Sequence, residues 1–319
     1  MGVGAIAMIG EWKTCLTSNA ARWGLPATGD WRFLLYNNYQ PQCSDLALFW
    51  FHEGGAFPRA VTKVLSESGR GEREFANLRQ AYAAAPEWVP RPLHFGALGK
   101  FWTLWMEGVP GVPFQGSLTP SVLESMTGAV SGMHQAFGKT TGSAREDRWQ
   151  QTVAEPLESL ASFGQAKAVQ EGARSLMTKA STEWLQRIPR IPQHGDLYAG
   201  NLLVDGARWH AVDWEVFGLI DFAGYDMFTL LISLLRTGGD DPAQWDPALV
   251  RQVPALVRKY ADRVGLSAGD MPTLLPLTLA NWFHLQWRDG RLPFCDRLYR
   301  TITVYFEQKA SWERVFFAA

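Results

Sequence analysis

Gln193-His194-Gly195-Asp196-Leu197-Tyr198-Ala199-Gly200-Asn201, followed by Val212-Asp213-Trp214-Glu215, is the stretch that decides how this chain is read. It has the form H-x-D-x-x-x-x-N on a turn between two short apolar strands, with a second carboxylate at the end of the next strand. That spacing suits phosphoryl transfer, a reaction in which the protein mainly positions groups and neutralises charge. Asp196 is placed to orient an attacking hydroxyl. Asn201 and Asp213 are hard oxygen donors of the kind Mg²⁺ takes, and the spacing leaves the loop room to turn back toward one cleft. The competing reading is a plain hydrogen-bonded turn, with His194 satisfied by backbone and Asp196 an Asx-type cap. Asn201, Asp213 and a β-rich region upstream weigh against it.

Working outward, the 319 residues are enough for two lobes or one large domain, with ample apolar content for a core. The formal net charge of −1 gives no basic field for nucleic acid or an anionic membrane surface. Cys15, Cys43 and Cys295 are odd in number and far apart, without metal-ligand spacing, which fits a reducing cytoplasm. Met1–Gly10 is apolar but has no basic residue ahead of its run, so a secretory signal is not expected. The richest apolar stretch, Val216–Leu235, is interrupted by Asp221 and Asp226, and no membrane span is expected.

The pattern changes near residue 110. Before it, β-type runs dominate at Trp31–Tyr36, Leu46–His52, Ala60–Leu65 and Phe101–Met106. One helix is expected at Glu72–Ala85, where Phe75, Leu78 and Tyr82 recur on one face; Pro86, Pro90 and Pro92 then impose an extended connection. Gly108, Pro110, Gly111 and Pro113 punctuate the boundary. Beyond it, helices are expected at Pro120–Phe137, Val153–Phe163, Ala166–Arg187, Met227–Arg236, Pro247–Val264 and Pro272–Asp289. Strand-like pieces occur only at Leu202–Val204 and Trp209–Asp213. The expectation is an α+β fold, with a small β-rich lobe over 1–108 and a larger helical lobe over 109–319.

The His194–Asn201 and Val212–Glu215 segments resemble those of the aminoglycoside phosphotransferase and choline kinase group, small-molecule kinases that share the two-lobed protein-kinase-like fold. The resemblance extends from about Trp31 to Trp287, carried by few specific residues. It implies that Asp196 is the catalytic residue and that Asn201 and Asp213 bind Mg²⁺. It makes 1–108 a nucleotide-binding lobe and 109–319 the catalytic and substrate-binding lobe. Ala60-Val61-Thr62-Lys63-Val64-Leu65 resembles the strand whose lysine contacts the nucleotide phosphates. A lysine in an apolar strand needs a partner; Glu74 matches the family position, with Glu72 the alternative because a single sequence does not fix helical phase. Leu104–Gly111 resembles the segment joining the lobes, which would hold the nucleotide base through backbone atoms of Glu107 and Val109.

The phosphate-covering loop departs from the protein-kinase pattern. Asn37-Asn38-Tyr39-Gln40-Pro41-Gln42-Cys43-Ser44 has no glycine, which leaves Asn38 or Ser44 as candidate phosphate contacts. Asp226, ahead of an apolar run, reads as a helix N-cap, and His134 as a core residue on a helix face. Glu215 is open between assisting the metal and holding Asp213 in place.

Between Asp213 and Asp226 there are 12 residues, too few for an activation segment and peptide platform, which favours a small hydroxylated acceptor over a protein. From Val216 onward there are eleven Asp plus Glu and eleven Lys plus Arg, so no acidic excess marks a polycation site. Trp282 and Trp287, among the aromatic residues gathered there, are candidate substrate contacts suited to sugars, natural products or choline-like groups; helix packing is the alternative. The expected function is Mg²⁺-dependent transfer from ATP, with GTP an open alternative, to a sugar-like, amino-alcohol or natural-product hydroxyl. The rival is a pseudokinase-like nucleotide-binding regulator, which the glycine-free loop favours.

Overall fold

The computed structural model describes residues 3–37, 46–138 and 147–318. The chain forms two compact units: Met1–Phe114 with Leu202–Val216, and Gln115–Asn201 with Phe217–Ala319.

The first unit opens with helix α1 (Val3–Asn19), then strands β1 (Trp31–Asn37), β2 (Leu46–His52) and β3 (Ala60–Leu65), helix α2 (Ser68–Ala84) and strands β4 (Pro92–Leu98) and β5 (Phe101–Glu107). The strands make one antiparallel sheet in the order β1-β2-β3-β5-β4. Strand alternation sends Leu48, Trp50, Ala60, Val64 and Trp105 to one face, where they pack with Trp12, Leu16 and Ala20 of α1. The indole N–H of Trp50 donates to Thr62 Oγ1 at 2.8 Å, so this aromatic layer is buried without stranding that polar atom. On the opposite face α2 sits so close that a Cβ on Gly71 would lie 2.4 Å from the Phe95 ring. Lys63, out of phase with Thr62 and Val64, falls on that side.

Two of the elements just given went unread in the sequence. The apolar start, considered only as a targeting segment, is α1. The proline-rich connection contains β4, an edge strand that tolerates proline as its first residue because nothing needs the missing N–H. Strands β6 (Val112–Pro113), β7 (Leu202–Asp205) and β8 (Arg208–Ala211) form a second, three-stranded sheet. The strand expected over Trp209–Asp213 therefore ends early, and Ala211 N–H donates to Trp88 O at 2.8 Å.

The second unit is helical: α3 (Pro120–Phe137), α4 (Glu155–Phe163), α5 (Lys167–Lys179), α6 (Thr182–Arg187), α7 (Tyr225–Leu235), α8 (Pro247–Val250), α9 (Val253–Val264), α10 (Met271–Arg288), α11 (Leu292–Glu307) and α12 (Lys309–Phe317). Thr119 caps α3, accepting from Val122 N–H at 3.3 Å. The helix expected over 166–187 breaks at Ala180 because Ser181 caps a new one, accepting from Trp184 N–H at 3.2 Å. That expected over 247–264 breaks at 251–252, and Pro254 falls in the first turn of α9, where its missing N–H costs no helical bond. α11 and α12 were unread, although Cys295, Leu298, Ile302 and Tyr305 of α11 recur at helical spacing and are buried. Nearly every residue of α7 is buried, which makes it the centre of this unit's core. The fold is α+β. Among the described residues no helix is long and apolar enough to cross a membrane.

Candidate active site

In the first unit, β3 and α2 bring Lys63 and Glu74 together as an ion pair, and Lys63 Nζ also donates to Asp213 Oδ1 at 2.6 Å. Glu72 is exposed, so the helical phase left open in the sequence resolves on Glu74. Burial alone opposes a charge on Lys63, but Asp213 and Glu74 outweigh it and raise its pKa above the ordinary lysine value. Lys63 is therefore a fixed cation through the neutral range. Burial raises the pKa of Glu74, against the pull of Lys63.

Asp213 follows the end of β8 and has φ 71°, the one non-glycine residue with positive φ among the described residues. Such a backbone conformation persists only where its surroundings impose it. Trp214 is buried and donates from Nε1 to Ala211 O at 2.9 Å, closing the turn. Glu215 then turns to α2: Arg70 donates to both its carboxylate oxygens, at 2.6 and 2.7 Å, and Asn77 Nδ2 donates to its carbonyl at 2.8 Å.

In the second unit, the His194–Asn201 loop hangs on Asp226. Its carboxylate accepts from His194 N–H at 2.6 Å, Gly195 N–H at 3.0 Å and His134 Nε2 at 3.0 Å. Tyr260 OH accepts from Gly224 N–H at 2.9 Å, so its own proton goes to His134 Nδ1 at 2.8 Å. That order leaves Nε2 as the protonated ring nitrogen facing the carboxylate. Asp226 is thus not the expected N-cap. Gly224 (φ 102°) occupies that position, and Asp226 lies two residues on, in the first turn, with its carboxylate facing the loop. His134 is a buried member of this network.

Asp196 is gripped by its backbone: its N–H donates to His194 Nδ1 at 3.3 Å and its carbonyl accepts from Asn201 Nδ2 at 2.9 Å. With the amide nitrogen committed, Asn201 Oδ1 is the atom suited to a cation. Among the described residues no group of three His, Cys, Asp or Glu is placed to hold a metal by itself. Asp213 in the first unit and Asn201 in the second each carry a hard oxygen of the kind Mg²⁺ accepts.

Residues 48–264 match the sequence profile of the APH phosphotransferase enzyme family. The chain belongs to that family. No curated protein matches it in sequence. Three solved structures share its fold at low identity. A Ralstonia eutropha JMP134 protein assigned to the aminoglycoside phosphotransferases is 14% identical with TM-score 0.66, over 92% of this chain and 97% of that one. Aminoglycoside phosphotransferase APH(4)-Ia is 14% identical with TM-score 0.59, over 94% and 98%; a mutant of it was crystallised with ADP and hygromycin B. Amicoumacin kinase hAmiN, in complex with AMP-PNP, Ca²⁺ and Ami, is 16% identical with TM-score 0.55, over 97% and 100%.

The remaining candidate positions of this family member differ in how they are placed. Ser44 and Asn38 lie outside the described residues. Glu107 N–H donates to Arg91 O at 2.8 Å, and Glu107 Oε2 accepts from Arg91 Nε at 2.9 Å. Gly108 passes so near Pro58 that a Cβ would lie 2.1 Å from its carbonyl oxygen, and half-buried Val109 follows. Trp282 is buried, its ring under the Arg236 guanidinium at 5.6 Å and tilted on Phe294 at 5.7 Å. Trp287 is 40% exposed and stacks on Phe283. Sequence reading passed over Arg70 and Asn77, whose signal was their spacing with Glu74: positions 70, 74 and 77 form one polar stripe on α2.

Proposed function

We propose that this phosphotransferase-family protein is a Mg²⁺-dependent small-molecule kinase that moves the γ-phosphoryl group of ATP to an acceptor hydroxyl. The observation that carries this is the bridge from Lys63 to both Glu74 and Asp213, residues 11 and 150 positions away. A lysine held between two carboxylates, one of them on a constrained backbone, is the arrangement a nucleotide phosphate and its cation require. The nucleotide role is assigned to 1–108 and the catalytic and acceptor role to 109–319.

In this scheme Lys63, oriented by Glu74, donates to phosphate oxygens. Asp213 and Asn201 would hold the cation, with ATP preferred and GTP the alternative. When bound, Mg²⁺ supplies charge neutralisation on the phosphates. Asp196 accepts the hydrogen bond of the acceptor hydroxyl, aligns its oxygen and takes its proton as the new P–O bond forms and ADP departs. The acceptor is a neutral or weakly charged sugar-like or natural-product alcohol, since the charges from Val216 onward balance. Trp287 keeps ring surface to meet it, whereas Trp282 is committed to Arg236 and Phe294. A cytoplasmic location, away from nucleic acid and membrane, accompanies this reading. The glycine-free loop favours a second reading, a nucleotide-binding regulator with weak or no transfer.

Asp196→Asn separates the two. It should leave ATP binding nearly intact while transfer, followed as phosphoryl mass gain across a panel of alcohols, falls by about 10²–10⁴-fold. A variant that phosphorylates as fast as the wild type would remove Asp196 from this role.

A further inference from the structure

We infer that Arg70 is a positioning residue for the Asp213 carboxylate, acting through Glu215; this rests on the proposed kinase reading. The segment Ala211–Glu215 is a short bridge pinned at both ends. At one end Ala211 N–H is held by Trp88 O, and Trp214 Nε1 folds back onto Ala211 O. At the other end both Glu215 carboxylate oxygens are engaged by the Arg70 fork and the Glu215 carbonyl by Asn77. Between the pins lies Asp213, with φ 71°. Release either pin and the left-handed backbone has no reason to persist, so the carboxylate swings away from its place.

The contacts close into a ring. From α2, Glu74 reaches Lys63, and Lys63 reaches Asp213; the chain continues through Trp214 to Glu215, which returns to α2 at Arg70. When a cation and phosphate take the Asp213 carboxylate and Lys63, the first half of the ring is redistributed. The second half, Arg70–Glu215, involves neither group and continues to fix the backbone. This geometry gives Glu215 the role of anchor. Its sequence position left open direct metal binding, but both its oxygens are already occupied by a two-pronged, charge-assisted contact.

The two roles predict opposite signs. In a thermal-shift titration with AMP-PNP fixed and MgCl₂ varied, Arg70→Ala should raise the Mg²⁺ concentration for half-maximal stabilisation about tenfold, as lost orienting partners do at metal sites. Arg70→Lys keeps the charge without the fork and should recover only part. Asn77→Ala, which removes one contact and leaves the ion pair, should shift the half-point the same way by less, and serves if Arg70→Ala folds poorly. An unchanged half-point in all three would overturn the inference and leave the kinase reading standing. A lowered half-point in Arg70→Ala would also overturn it, because Glu215 would then be a ligand set free. No magnesium effect on the wild type would overturn both.

Discussion

Two regions hold the candidate site residues, and they are built from opposite materials. The Lys63–Glu74–Asp213 region is a set of ion pairs whose outer members reach solvent: Lys63 is 22% and Asp213 44% exposed, while Glu74 is buried. The region behind Asp196 is dry, with His134 and Asp226 both at 0%. Charges at a wet boundary exchange partners at little cost, because water and incoming ions replace what is lost. A buried carboxylate that satisfies three donors does not exchange, because every donor it abandons stays unsolvated. In the proposed scheme phosphate and metal re-pair the first region. The second is made to hold one aspartate still.

The contrast breaks most visibly at Asp226. Asp226→Ala strands His194 N–H, Gly195 N–H and His134 Nε2 together, and should cost about 3–5 kcal/mol of stability, read from the urea midpoint. Transfer activity should disappear with the loop geometry. A variant as stable as the wild type would mean that the loop is held by something else. Tyr260→Phe sharpens the same point at smaller scale. It leaves Gly224 N–H and His134 Nδ1 without the shared hydroxyl and should cost about 1–3 kcal/mol by the same measurement. If it costs nothing, the hydrogen-bond chain does not fix the His134 tautomer. Substitution at Asp213, by contrast, should leave the urea midpoint close to that of the wild type.

Much of this was legible in sequence, for identifiable reasons. β2, β3 and α3 were placed to the residue, because alternation and a Thr-Pro start are local signals. A carboxylate partner for Lys63 was expected because a lysine in an apolar strand demands one, while the choice of Glu74 over Glu72 rested on the family resemblance. What stayed hidden depends on partners distant in sequence. Asp226 reads as a cap in the sequence, and only the fold turns its carboxylate back 32 positions to His194. The left-handed backbone of Asp213 leaves no mark on composition, since aspartate accepts several conformations. The Arg70–Glu215 pair spans 145 positions, and its trace in the sequence is the polar stripe on α2. α1 was missed for a different reason: its apolar stretch was weighed as a leader rather than as a cover for the tryptophan face of the sheet.

The central claim, that this family member is a cation-dependent nucleotide-using kinase, is tested most directly by calorimetric titration of ATP with and without MgCl₂, in the wild type and in Asp213→Ala. The wild type should bind ATP more tightly with Mg²⁺, and the Asp213→Ala protein should be folded but indifferent to the ion. A wild type that binds no ATP, or an Asp213→Ala variant with the full magnesium effect, would contradict it.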